Sequence, residues 1–133
     1  MRMFLRTRAI LAALLASAGI STVARADVKD YEFQLADQAV KIGPHAVIAV
    51  RLVNKVTGKP VADAVIFALR LDMAPDSMAQ MTTKISQLPG AESGNYRFDA
   101  NVGMSGHWQL SLGAKVQGES GTLESHLIIP AQP

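Results

Sequence analysis

The 133-residue chain contains no cysteine. No disulfide can staple the fold, so its apolar core must stabilise it alone. It also lacks H-E-x-x-H, a P-loop and G-x-G-x-x-G, and no serine comes with a recognisable base. Enzymatic readings therefore have no starting residues, and the chain is expected not to be an enzyme. There are no repeats, no low-complexity stretches and no linker long enough to separate one domain from another. Long apolar runs are missing too: Ala9 to Ala16 is too short and too rich in alanine to span a membrane.

What that run does resemble is the centre of a secretory signal peptide. Arg2, Arg6 and Arg8 precede it, and small residues follow, ending in Ala24-Arg25-Ala26. Cleavage is expected after Ala26, leaving residues 27–133 as a single exported, periplasmic domain without a membrane span. No cysteine at the junction could carry a lipid, and no arginine pair points to export of a folded form. Cleavage removes four basic residues and no acidic ones. Nine basic then face eleven acidic residues, a net charge of −2, so the pI of about 9.2 for the whole chain is misleading. No basic face suited to nucleic acid remains.

Past residue 27, apolar residues recur with period two and not with helical period. Tyr31, Phe33 and Leu35 open the pattern, and Val40 and Ile42 extend it to the break at Gly43-Pro44. Ile48, Val50 and Leu52 follow, then the turn "NKVTGKPV". The run from Asp63 to Leu71 is apolar on both faces, which predicts a buried central strand. Met81 to Leu88 is a weaker candidate strand. Tyr96 to Val102, Trp108 to Ala114 and Leu123 to Ile129 alternate again between glycine-bearing turns, and Trp108 is expected at the centre of the core. About seven short strands at near-regular spacing predict an all-β fold, an antiparallel immunoglobulin-like β-sandwich.

The stretch "RLDMAPDSMAQM" concentrates three of the six methionines of the chain. Thioethers are soft ligands that select Cu(I) and survive an oxidising compartment without pairing, so methionine suits an exported copper site. If successive strands run antiparallel, Met73, Met78, Met81, Met104, His45 and His107 all fall at one end of the sandwich. Lys55, Lys59, Gly90 and Gly118 fall at the other. The competing reading has the methionines filling irregular gaps at the open end of the core, with Met104, in a tight turn, the most exposed. Met78 and Met81 would share a side if one helical turn followed Pro75-Asp76. His107 and His45 read equally as solvated groups and His126 as an outer polar position. The pairs Asp72/Asp76 and Glu119/Glu124 read as solvated charge.

The segments "TGKPVADAVIFALRLDM" and "GAESGNYRFDANVGMSGHWQLSL", with the methionines between them, resemble the YtkA-like/FixH-like family of small exported bacterial domains. The resemblance runs from about Gln38 to Ile129. It implies the immunoglobulin-like fold and, since many members occur alongside heavy-metal efflux or copper-handling systems, a metal-related role by association. This chain departs from the Met/His-rich loops of other members in having no histidine between Met73 and Met81. Two functions follow. One is a periplasmic accessory that binds Cu(I) weakly through the methionine-bearing loop and supports efflux. The other is a module that binds no metal and docks on an efflux or other envelope protein, with the strand from Gly121 to Ile129 open to a neighbour's strand.

Overall fold

A computed structural model describes residues 27–90 and 92–133; the signal-like segment lies outside the described residues. Within the described residues, nine strands form two sheets. One holds β1 (Tyr31–Leu35), β3 (Gly43–Asn54), β7 (Asn95–Val102) and β6 (Ile85–Gln87) in that lateral order. The other holds β2 (Val40–Lys41), β9 (Leu123–Gln132), β8 (Gly106–Lys115), β4 (Val65–Met73) and β5 (Met78–Thr83). All pairs are antiparallel except β2 with β9, which run parallel through Val40–Ala131 and Lys41–Gln132.

Alternation builds the core directly, because successive residues of a strand point to opposite faces. Ile48, Val50 and Leu52 of β3 and Tyr96, Phe98 and Val102 of β7 point inward from one sheet. Trp108, Leu110 and Leu112 of β8 and Ile129 of β9 meet them from the other. Phe33 and Tyr96 pack edge to face with ring centres 6.1 Å apart. The Tyr96 hydroxyl donates to the Val61 carbonyl at 2.7 Å and accepts from the Ala64 amide at 3.1 Å, which pins the loop entering β4.

Three local features differ from the alternation pattern. The run expected to be a fully buried central strand instead begins at Val65 and continues to Met73. Its pairing with β8 slips between Ile66 and Ala68, so two residues of β4 span one step of its partner. This bulge flips the inward face from Ile66 to Leu69, Leu71 and Met73, and leaves Phe67 outside at 57% exposure, with Val65 exposed beside it. Phe67 lies over Gly113; a Cβ there would stand 3.2 Å from the Phe67 ring. The single candidate strand from Met81 to Leu88 is divided: β5 pairs with β4 in one sheet, and after Lys84 the chain crosses to pair as β6 with β7 in the other. The extension at Val40 also changes sheets, leaving β1 to pair with β9 as β2. These two crossings raise the strand count from about seven to nine.

Trp108 lies at the middle of this packing, 3% exposed, with its Nε1–H donated to the Met104 carbonyl at 3.1 Å. Trp108→Ala is expected to lower unfolding free energy by about 3–5 kcal/mol, measured by urea titration. An unchanged midpoint would show that the indole does not anchor the core.

Candidate functional site

The methionine-bearing segment is a tight connection between β4 and β5. Asp72 Oδ1 accepts the Ala74 amide at 2.9 Å, and Ala74–Asp76 form one 3-10 turn with Pro75 in its first positions. Ser77 closes it in the left-handed region at φ 60°. Proline presets the turn and lacks the amide that would prolong a ladder. The segment after it is strand, not helix, so Met78 and Met81 do not share a side: Met78 packs on the core opposite Met73, whereas Met81 is exposed.

This connection is bolted to the turn that precedes β8. Asp76 Oδ2 accepts the His107 amide at 2.7 Å, and Oδ1 lies 3.0 Å from His107 Nδ1. The His107 amide, followed by the imidazole, holds the Asp76 carboxyl below the usual carboxylate range. Gly106 makes the approach possible. At φ 140° it occupies glycine territory, and a Cβ on it would stand 2.6 Å from Asp76 Oδ2 and 2.8 Å from Met73 Cε.

The candidate ligands fall into three groups. Met73 is fully buried, its methyl against Gly106, and Met78 is partly buried on the same core. Met81 and Met104 remain 42% and 40% exposed. Each lies two or three residues along the chain from the contact in which Thr83 Oγ1 donates to the Asn101 carbonyl at 2.7 Å, beside the Asn101 amide donated to the Lys84 carbonyl. The histidines are separated. His107 belongs to the Asp76 contact, whereas His45 Nδ1 lies 3.3 Å from Asp99 Oδ2 on the other sheet. Among the described residues no three imidazole or carboxylate groups converge as a metal site would require.

Three of the four carboxylates that read as solvated in the sequence, Asp72, Asp76 and Glu119, have partners. Asp72 is only 4% exposed and lies 2.7 Å from Arg70 Nε. Burial works to raise its pKa, and the Arg70 and Ala74 hydrogen bonds overcome that, leaving it lowered. The Arg70 Nη2 in turn donates to the Ala79 carbonyl, tying β4 to β5. Beside them, His126 Nδ1 lies 2.9 Å from Ser111 Oγ. The adjacency of Arg70, Asp72, Ser111 and His126 depends on cross-strand register, which sequence spacing does not reveal. Glu119 is likewise engaged, accepting from the Tyr31 hydroxyl at 3.2 Å.

Two facing sheets with an inward aromatic on β8 and a first strand that changes sheets define an immunoglobulin-like β-sandwich. The chain belongs to the YtkA-like family, whose family model matches residues 25–113. It is similar in structure to the Lin-41 filamin domain, with 17% identity, TM-score 0.46, and coverage of 80% of this chain and 94% of that one. It is also similar to the ZirS C-terminal domain, with 12% identity, TM-score 0.47, and coverage of 86% and 75%. No curated protein matches the chain. No helix among the described residues is long and apolar enough to cross a membrane.

The Asp72 contacts make a pH-dependent prediction. Because folding lowers its pKa below 3.8, ionised Asp72 contributes stability above that value, and the contribution is lost as pH falls through the folded pKa. Asp72→Asn is expected to cost about 1–3 kcal/mol at neutral pH. In urea titrations the gap should stay constant from about pH 7 to 5 and close in acid below about pH 4. A gap independent of pH throughout would remove the charge from the account.

Proposed function

We propose that this chain is an exported, periplasmic accessory domain of bacterial metal handling that binds Cu(I) weakly through Met81 and Met104 and supports a heavy-metal efflux system. It is a binding domain and not an enzyme. The observation carrying the reading is the division among the methionines: Met73 and Met78 serve the core, while Met81 and Met104 stay exposed, where packing gives them little return. Two uncharged soft donors at a surface suit a labile cuprous ion, and a third position left to solvent or to a partner keeps the affinity low. His107 engages Asp76 through Nδ1, which leaves Nε2 as its free ring nitrogen, and His45 lies on the other sheet.

A second reading, a domain that binds no metal and docks on an efflux or other envelope protein, is favoured by the unpaired length of β9. Cu(I) titration of the purified protein against a competing chelator separates the two. Replacing Met81 and Met104 together by leucine keeps bulk and apolarity, so stability should hold while Cu(I) affinity falls at least tenfold, about 1.4 kcal/mol. Thioethers do not titrate, so affinity should stay flat above about pH 5, whereas a steep loss near pH 6 would bring in an imidazole. Equal binding by parent and variant, or none by the parent, would leave the docking reading.

Export has its own check: the intact mass of periplasmic material should correspond to a first residue Asp27. A membrane-bound form that keeps Met1 would overturn both cleavage and location.

A further inference from the structure

The last strand carries an unused edge. From Leu123 to Ala131 every residue of β9 pairs with β8 on one side. On its other side, only Ala131 and Gln132 are paired, by β2, and the Ile42 amide closes on the Gln132 carbonyl at 2.8 Å. At the far end Val28 of the N-terminal turn lies against Gly121, within 3.7 Å of where a Cβ would stand. The N-terminal segment of the chain therefore bounds the edge at both ends, and residues 123–130 between them have no strand partner on this side among the described residues. Unpaired backbone groups of this kind template the addition of a strand.

The side chains on this stretch state what would fit. Glu124, His126 and Ile128 face outward. Glu124 makes no ion pair among the described residues, and Ile128 is an apolar side chain 55% exposed. The inward residues Leu123, Leu127 and Ile129 join the core, and β1 packs across from them with Tyr31 and Leu35 half-buried. An added strand would thus meet an apolar inner face, and an outer face that wants a cation beside Glu124 and an aliphatic group beside Ile128.

A second copy of this chain does not meet that demand. Antiparallel self-pairing centred on His126 sets Ile128 against Glu124, and centring on Leu127 sets it against His126. Centring on Ile128 would place the Glu124 of the partner copy opposite Gln132, where β2 already sits.

We propose that the β9 edge at Leu123–Ile129 receives an extended segment of a partner protein, added antiparallel, with an aliphatic residue opposite Ile128 and, four residues later, a lysine or arginine opposite Glu124. The idea deepens the docking reading above and stands apart from the copper reading. The geometry of the edge supplies main-chain hydrogen bonds for affinity, and the alternating outer side chains supply selection.

The probe is a capped nine-residue peptide with valine on one face and isoleucine, threonine and lysine on the other, the lysine four residues after the isoleucine. Added without copper to the ¹⁵N-labelled protein, it should bind saturably and shift amides of residues 123–129. A peptide with glutamate in place of lysine should bind at least tenfold more weakly, and one with a central proline should not bind, since it loses a ladder donor. Glu124→Lys, on an exposed side chain, should leave the melting temperature unchanged and reverse the lysine-over-glutamate preference. Absence of saturable binding, shifts confined to other strands, or a preference that Glu124→Lys does not move would overturn the proposal. A concentration-dependent dimer that protects the same amides would give the edge to a second copy and overturn it equally. Because copper is absent throughout, failure here leaves the Cu(I) titration to stand or fall by itself.

Discussion

The hydrogen bond from the Trp108 indole to the Met104 carbonyl sets the position of everything at one end of the molecule. The ring is fixed between the sheets by packing, so the carbonyl it holds is fixed as well, and with it the turn at 103–105. That turn delivers the His107 amide to Asp76, and Asp76 in turn holds the connection between β4 and β5. The placement of Met104 is thus a consequence of core geometry reaching outward through a short chain of hydrogen bonds. A buried polar donor in such a place is also specific, since leaving it unpaired would carry the full cost of desolvation.

Much of the fold was legible because alternation is a physical record of burial. β1, β7, β8 and β9 each show it, and each lies where its pattern put it, with Trp108 in the core, whereas β3 starts at Gly43 and runs through the expected break at Gly43-Pro44 with an irregular register there. The failures lie where backbone geometry departs from period two. In β4, the bulge at Ile66/Ala68 reverses the inward face midway, and a run that is apolar throughout carries no mark of the reversal. At Lys84 and again before Val40, the chain changes sheets within a few residues, and a strand that changes sheets keeps its alternation. The pattern therefore merges two strands into one in each place.

The site was partly legible for the same reason. That Met73, Met78, Met81 and Met104 would gather toward one end followed from strand direction, and which of them would be buried did not. Met73 turns inward because it follows the bulge, and Met81 stays out because β5 meets β4 in an irregular register after Met78. The carboxylates were read as solvated because spacing along the chain says nothing of Arg70 beside Asp72 or of His107 reaching Asp76 from another strand. Gly106 was seen as a turn residue. Its closer meaning, room for Asp76 and Met73, appears only in three dimensions.

The parallel pairing of β2 with β9 joins Val40 to Ala131, residues far apart along the chain. Such a contact closes most of the domain into a loop, and its entropic cost must be met before any local reward is gained. The ladder also cannot form until Gln132 has left the ribosome. A nascent chain of this topology therefore lacks β9, and the sheet that β9 completes, until synthesis has passed that point. The schedule leaves the inner faces of the earlier strands without their cover while the chain is being made, which is when a holding factor would have the most apolar surface to grip.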